Sequence, residues 1–204
     1  MKNIILSAVL SALIISGSVF AGPTAYLKGG KTIVEFSEEF VGALGALGVT
    51  PSAIKNGTLN LNKGEVSFRI PAGAIDVDTL AGDIFHTGGL GLGVPGIQVS
   101  LLNFIISTTE APVLTGLAAV NGDVVDRIPL FNLTLAPDAV DTSKRNKLMV
   151  GPVAVTLTAV AAATLNEVFG VDAFTPDFPI GTAYVSTRIK NVLDGTDDDE
   201  GNDD

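Results

Sequence analysis

The chain has 204 residues and no cysteine, which excludes a disulfide framework and a lipid-modified N-terminal cysteine. Its 12 basic and 22 acidic residues give a net charge of −10, and no stripe of Lys and Arg is present to neutralise the phosphates of a nucleic acid. Aromatic residues make up only 6% of the chain and tryptophan is absent, so Val, Leu, Ile and Ala must fill most of the core.

The first 21 residues, MKNIILSAVLSALIISGSVFA, have the organisation of a secretory signal peptide. Lys2 precedes an apolar run over residues 4–15, and small residues follow up to Ala21, which predicts cleavage before Gly22. The alternative, a membrane anchor, requires about 20 apolar residues to cross the bilayer, and this run is shorter. We therefore expect an exported protein, periplasmic, cell-surface or secreted, with no membrane span after cleavage.

Short apolar or alternating segments bounded by Gly, Pro or Asn predict a mainly β domain over residues 22–193. The predicted strands cover residues 32–36, 58–61, 65–70, 98–108, 113–120, 129–135, 148–157 and 182–189. Two segments predict helices instead, residues 38–47 after Ser37 and residues 159–169 after Thr158, because Ser and Thr are common N-caps. A glycine follows each helix, as expected for a left-handed C-terminal residue.

The two helical regions resemble each other in sequence. In each, a strand leads into a capped helix, a Gly-Val pair, a polar loop, a Gly-Thr pair and another strand. This order indicates an internal duplication, and it predicts that the two helices close opposite ends of the sheets. The expected architecture is an antiparallel β-sandwich or partial barrel with two short helices in a duplicated strand–helix–strand unit.

Acidic residues are concentrated at the C-terminus. The last 11 residues, DGTDDDEGNDD (194–204), hold seven of the 22 acidic residues and no apolar one. Such a segment cannot bury enough surface to offset its ordering entropy, so we expect a disordered tail. The alternative, a calcium loop, requires a D-x-D-x-D-G spacing that is not present.

Motifs for catalysis are not present in recognisable form. GLGVPG (91–96) satisfies G-x-G-x-x-G, but the segment after it predicts a strand, whereas a dinucleotide site needs a helix there. The chain has no G-x-S-x-G elbow and a single histidine, too few ligands for catalytic zinc. We therefore expect a protein that is not an enzyme and holds no metal through its own ligands.

The single histidine, His86, lies in DIFHTGGLGL (83–92) next to Phe85. A lone histidine is most often structural, hydrogen-bonded to the backbone or to a neighbouring Asp. A ligand contact is the alternative. Gly88 and Gly89 are expected to supply positive-φ turns or close approaches of the backbone.

A resemblance to a known family bears on this choice. FRIPAGAIDVDTLAGDIFHTGGLGL (68–92), VSLLNFII (99–106), VLTGLAAV (113–120), PLFNLTL (129–135) and LTAVAAATLNEVFGVDAFTPDFPIGTAYV (157–185) follow one another as in HtaA-type domains. The chain resembles this family over roughly residues 32–185. The resemblance implies an exported bacterial domain, and the best-known members bind haem at cell surfaces.

In the resembling family, a tyrosine in an N-terminal helical segment ligates haem iron, assisted by a histidine in a G-H-x-G-x-L segment. The matching helix here, EEFVGALGALGVT, has no tyrosine, and His86 is displaced relative to the family histidine. Tyr26 lies before the helix and Tyr184 lies in the last predicted strand. The candidate ligand-binding residues are therefore His86, Phe85, Tyr26 and Tyr184, and no iron ligand is transferred from the family.

Three functions remain open from the sequence. The first is an exported, non-catalytic domain that gives a binding or structural surface outside the cytoplasm, with an unknown protein or a small apolar molecule as its partner. The second is binding of haem or another flat apolar ligand, as the resemblance implies. The third is an enzyme, for which no motif provides support.

Overall fold

The computed structural model describes residues 24–76, 78–109 and 111–191. The predicted signal peptide, its cleavage site before Gly22 and the acidic segment 194–204 lie outside these residues. In chain order the elements are β1 (Thr24–Phe36), α1 (Glu38–Leu47), β2 (Thr50–Ile54), β3 (Thr58–Asn60), β4 (Glu65–Asp76), β5 (Gly82–Thr87), β6 (Gly89–Val94), β7 (Ile97–Ser107), β8 (Val113–Val120), β9 (Asp123–Leu135), β10 (Val140–Asp141), β11 (Lys147–Leu157), α2 (Ala159–Phe169) and β12 (Pro179–Asn191).

Eight of these strands form a closed antiparallel barrel in the order β7-β5-β4-β1-β12-β11-β9-β8, and the β8–β7 pairing closes it. The prediction of a mainly β, antiparallel fold with two short helices is confirmed. Closure means that β1 and β12, at the two ends of the described chain, pair along most of their length. The remaining strands extend the barrel wall: β6 and β2 continue the sheet beyond β7, β3 pairs with β4, and β10 pairs with β11.

The barrel strands are strongly staggered. A path of directly paired residues that leaves β12 at Lys190 and crosses the eight strands returns to β12 at Pro179, eleven residues away with bulges included. The packed eight-stranded barrel of the TIM fold has a shear of 8. A larger stagger tilts the strands more and widens the barrel, so the interior here has more space to fill.

Bulges change which side chains point inward along several strands. In β1 the inward positions are Ala25 and Leu27 before the irregularity at Gly29 and Gly30, and Thr32 after it. β4, β7 and β11 have corresponding register shifts. Bulges bend strands and increase their twist, which suits closure of a steeply tilted barrel.

The two helices have the predicted bounds and caps. Ser37 Oγ accepts a hydrogen bond from the Phe40 amide at 3.0 Å, and Thr158 Oγ1 accepts one from the Ala161 amide at 3.1 Å. Gly48 and Gly170 end the helices with φ of 67° and 66°. These local signals explain why the helices were the most predictable elements.

The prediction that the helices close opposite ends of the sheets is wrong. Both β1 and β11 pair antiparallel with β12, so they run in the same direction and deliver α1 and α2 to the same end of the barrel. The strand and capped helix do recur, but the strands after them differ: β2 pairs with β6, whereas β12 returns to pair with β11.

The core is one apolar cluster that fills the barrel and continues beneath the helices. It is dominated by Val, Leu, Ile and Ala, with four buried phenylalanines, Phe40, Phe68, Phe104 and Phe174. Neither described helix is long and apolar enough to span a membrane.

Candidate functional site

His86 points into the barrel. Side chains alternate along a strand, so Ile84 and His86 of β5 face inward while Phe85 faces outward and is 41% exposed. His86 is 4% exposed. It lies opposite the β4 bulge at Ile70 and Pro71, because Phe85 pairs with Ala72 and Thr87 pairs with Arg69.

The imidazole of His86 has one hydrogen bond. Nε2 lies 2.7 Å from Thr32 Oγ1, which also faces the barrel interior. Nδ1 forms no hydrogen bond of good geometry with the described residues, although the backbone of Ile84 lies close enough to interact with the ring. Burial lowers the pKa of His86 to about 4, and the nearby Ile84 backbone opposes this shift only in part. The ring is therefore neutral at physiological pH.

The barrel interior contains a cavity of about 110 Å³, which we call the barrel cavity. Its walls are aliphatic and aromatic apart from three polar residues, Thr32, His86 and Thr108. The Thr108 hydroxyl has acceptors in the Leu80 carbonyl at 2.5 Å and the Gly82 carbonyl at 3.1 Å. His86 Nδ1 is thus the one buried side-chain nitrogen or oxygen without a partner among the described residues.

A larger cavity of about 300 Å³, the helix-end cavity, lies between the two helices and the wall formed by β6 to β9. Phe40 of α1 and one face of α2 cover it, and among the described residues Thr164 and Glu167 are its only polar lining side chains. Four side chains line both cavities and so form the wall between them: Leu90, Leu101, Phe131 and Ile180. At the rim of the helix-end cavity, Val125 in the β8–β9 hairpin is 66% exposed.

The structure does not bring the four candidate ligand-binding residues together. Tyr26 lies between the inward-facing Ala25 and Leu27 and is 50% exposed, and Tyr184 is 40% exposed on the outer face of β12. Phe85 is also on the outside, whereas His86 is inside. A ligand cannot touch His86 and either tyrosine at once, because the barrel wall separates them.

Gly88 and Gly89 join β5 to β6 in a nearly continuous strand. Gly88 has φ of 97°, and a Cβ there would lie 2.4 Å from the Gly57 nitrogen in the β2–β3 loop. A Cβ on Gly89 would lie 2.3 Å from the Leu101 carbonyl oxygen. Absence of a side chain thus lets the β2–β3 loop and β7 approach the β5–β6 junction closely.

Two parts of the site had no recognisable sequence signal. Thr32 is 54 positions from His86, and only the barrel register brings them together. The helix-end cavity depends on the packing of two helices against four strands. Among the described residues, no group of three or more His, Asp or Glu side chains could hold a metal ion.

No protein-family model and no curated protein sequence matches the chain. Solved structures do match. The crystal structure of the C-terminal domain of HtaA from Corynebacterium glutamicum is 15% identical, with a TM-score of 0.63 over 81% of this chain and 99% of that domain. The N-terminal domain of the same protein is 12% identical, with a TM-score of 0.52 over 80% of this chain and 98% of that domain.

A domain-swapped dimer of a histidine-to-alanine variant of the C-terminal domain also matches, at 16% identity and a TM-score of 0.52, over 72% of this chain and 87% of that one. Both HtaA domains are thus matched along nearly their whole length. The chain therefore has the fold of the HtaA domains, which confirms at the level of fold the resemblance indicated by its glycine and apolar motifs.

Proposed function

We propose that this protein is an exported, non-catalytic binding domain that holds a small apolar molecule in the helix-end cavity. The observation that carries the proposal is the cavity itself, about 300 Å³ with walls that are apolar except for Thr164 and Glu167. Ligand pockets in proteins begin at about this size and combine apolar walls with a few polar groups. Export rests on the sequence of the first 21 residues.

The rim of the cavity supports entry from outside. Val125 lines the cavity and is 66% exposed, so apolar surface continues from the interior onto the β8–β9 hairpin. The hairpin is connected through an exposed Asn121-Gly122 turn. A ligand would bury this apolar surface together with the cavity walls, which is favourable at about 25 cal/mol per Å² of apolar area.

The resemblance to HtaA domains implies haem as the ligand. The fold agrees with this, but the described residues that line the helix-end cavity lack a ligand for haem iron. A haem protein needs an axial side chain such as His, Tyr, Met or Cys. No described residue of these types lines the helix-end cavity: His86 lies in the barrel cavity, and Tyr26 and Tyr184 lie on the outer surface. We therefore favour a metal-free apolar ligand.

We propose binding rather than catalysis because the described polar groups that line the helix-end cavity do not form a nucleophile–base pair. One hydroxyl and one carboxyl group line it, and Thr164 Oγ1 already donates to the Val160 carbonyl at 2.8 Å. A nucleophile needs an adjacent base within hydrogen-bonding reach. The lining provides no such pair.

The test uses the environment-sensitive dye N-phenyl-1-naphthylamine and two matched variants. Ala118 is 5% exposed and lines the helix-end cavity, so Ala118→Phe fills it; Ala154 is exposed on the outer face of β11, so Ala154→Phe adds the same bulk elsewhere. We expect saturable dye fluorescence that Ala118→Phe reduces at least tenfold in affinity and Ala154→Phe leaves unchanged. Absence of saturable binding, or equal effects of the two variants, would refute the proposal.

A haemin titration in parallel tests the second candidate. We expect the absorbance of haemin to stay that of the free compound, because no axial ligand faces the cavity. A sharpened and shifted Soret band that Ala118→Phe removes would show that haem is the ligand after all. Loss of such a band in Tyr26→Phe or Tyr184→Phe would instead place haem on the outer surface.

A further inference from the structure

The outer face of four neighbouring barrel strands is basic toward the end of the barrel that lies away from the helices. Side chains alternate along a strand, and on β1, β4, β11 and β12 several of the outward positions are Lys or Arg. The residues on this surface, which we call the basic face, are Lys28, Lys31, Arg69, Lys147, Arg188 and Lys190. All are exposed except Lys147, which is half-buried, and they are half of the 12 Lys and Arg residues of the chain.

The barrel register brings these residues together from distant parts of the sequence. Lys31 lies directly opposite Arg69 across β1 and β4, and Arg188 lies directly opposite Lys147 across β12 and β11. The bulge in β1 brings Lys28 into the part of that strand that lies opposite Arg188. Because these positions are dispersed over residues 28–190, the sequence itself shows no basic stripe.

The charges of the basic face are not compensated within the described part of the chain. Like charges directly opposite each other on a sheet are destabilising, and this face contains two such pairs. None of its six residues forms an ion pair with a described Asp or Glu. Asp141 on β10 lies diagonal to Lys147, but its carboxylate accepts a hydrogen bond from the Ser143 amide at 2.8 Å in its own turn. An anionic partner would therefore relieve the repulsion.

The chain runs from this face directly into its most acidic segment. β12 ends at Asn191, next to Lys190, and the segment 194–204, which holds seven acidic residues and no apolar one, begins three positions later. An extended chain spans at most about 3.6 Å per residue, so residues 192–204 can reach about 45 Å from the end of β12. The basic face covers four strands that lie about 4.8 Å apart, which makes it about 15 Å wide. The acidic segment can therefore reach all of it.

We propose that the acidic segment 194–204 binds the basic face of its own molecule and neutralises it. Seven carboxylates then face six Lys and Arg side chains, so the two charges nearly cancel. Exposed ion pairs are individually weak, but attachment to β12 keeps the segment at an effective concentration in about the millimolar range. The attraction acts between charges without apolar burial, so it requires no single fixed conformation of the segment.

The bound segment closes the basic face to other polyanions. Without the segment, this concentration of positive charge would attract them over a long range; with the segment in place, a competing polyanion has to displace the seven carboxylates. The helix-end cavity lies at the other end of the barrel. The inference therefore does not rest on the function proposed for that cavity.

The experiment uses the absence of cysteine from the chain. Thr196→Cys introduces a single thiol into the acidic segment for a nitroxide spin label, and ¹⁵N-labelled protein then reports the broadening of each amide signal. Arg69 is the informative amide because β4 is separated from β12 by β1, and Leu117 on β8, on the far wall of the barrel, is the reference. We expect strong broadening at Arg69 and a sharp Leu117 signal at an ionic strength of about 0.1 M. Most of the broadening should be lost at about 1 M, because the Debye length falls from about 10 Å to about 3 Å.

Two matched double variants of the spin-labelled protein separate binding from attachment alone. Lys31→Gln with Arg188→Gln removes one charge from each opposed pair of the basic face. Lys55→Gln with Lys63→Gln removes the same number of exposed charges elsewhere on the surface. We expect the first variant to reduce the broadening at Arg69 about twofold, because a third of the attracting charge is gone, and the second to leave it unchanged.

A third variant, Asp197→Asn with Asp198→Asn and Asp199→Asn, keeps the length and attachment of the segment but removes three of its charges. It should also reduce the broadening at Arg69. The proposal is overturned if this broadening is insensitive to ionic strength, or if the basic-face variant and its control behave alike. A mixture of ¹⁵N-labelled protein without nitroxide and unlabelled protein with nitroxide should show no broadening at Arg69; broadening there would mean that the segment binds a second copy instead, which also overturns the proposal.

Discussion

We expect the folded protein to become less stable as the pH is lowered, because His86 is buried in its neutral form. The folded state holds the imidazole neutral, with a pKa of about 4, whereas the unfolded chain has the ordinary value of 6.5. Between these values the unfolded chain binds a proton that the folded state does not, so acidification favours unfolding. Above pH 6.5 both states are neutral and the contribution of His86 is fully retained.

The magnitude follows from the gap between the two pKa values. At about 1.4 kcal/mol per tenfold change in proton affinity, complete protonation costs about 3 kcal/mol, and linkage gives about 2 kcal/mol of this loss by pH 5. No charged side chain lines the barrel cavity among the described residues, so no neighbouring carboxylate compensates the imidazolium.

Urea unfolding at pH 7 and pH 5, in the wild type and in His86→Phe, isolates this contribution. The carboxylates titrate alike in both proteins, so the difference in their pH dependence belongs to His86. We expect the wild type to lose about 2 kcal/mol more than the variant between these pH values. Equal losses in the two proteins would refute the assignment of a neutral, buried imidazole.

Two further predictions concern backbone positions and caps, both measured as free energies of unfolding in urea. Gly88 and Gly122 have similar φ values of 97° and 94°, but of the two only Gly88 has a neighbour within 4 Å of an added Cβ. Gly88→Ala should therefore lower the free energy of unfolding by about 1–3 kcal/mol more than Gly122→Ala. Equal losses would show that the close approach to Gly57 relaxes freely. Ser37→Ala and Thr158→Ala each remove an N-cap and a second hydrogen bond. Ser37 Oγ donates to the Pro179 carbonyl of β12, and Thr158 Oγ1 donates to the Pro129 carbonyl of β9. Thr158 is buried, so we expect a loss of about 2 kcal/mol there against about 1 kcal/mol at Ser37; the reverse order would contradict the role given to burial.

Local signals in the sequence predicted the helices and several strands well. Residues 38–47 and 159–169 are helical as expected, because each begins at a hydroxyl cap and ends at a glycine. The strand predicted at residues 148–157 is observed as Lys147–Leu157. Such elements depend on contacts within a few positions of the chain, which the sequence displays directly.

Glycine-rich strands were harder to predict. The sequence predicts positive-φ turns or close backbone approaches at Gly88 and Gly89 and no strand over GLGLGV. This segment forms β6, in which Leu90 and Leu92 face the helix-end cavity and Gly91 lies against Ser52 and Gln98. The period-two alternation of leucine with glycine was present in the sequence. Glycine has low strand propensity, so this alternation does not by itself predict a strand. The glycines occur because the outer side of β6 is too crowded for side chains.

The candidate site could not be assembled from sequence because its parts depend on the direction of side chains. The sequence predicts Tyr26 and Tyr184 as possible ligand contacts together with His86, but strand alternation turns both tyrosines outward. A bulge at Gly29 and Gly30 separates Tyr26 from Thr32 in the same strand and changes which positions face inward. A shift of one residue moves a side chain to the other face of a sheet, so each bulge had to be known before any inward residue could be named.

The composition of the chain and the geometry of the barrel together account for the cavities. A strongly staggered eight-stranded barrel is wide, and filling it requires large side chains. This chain has no tryptophan, and both of its tyrosines lie on the outside. Aliphatic residues and a few phenylalanines are left to fill the interior, and they leave space of about 110 Å³ around His86 and about 300 Å³ beneath the helices. Empty voids of this kind cost stability, and a ligand in the helix-end cavity, as proposed above, would recover part of that cost.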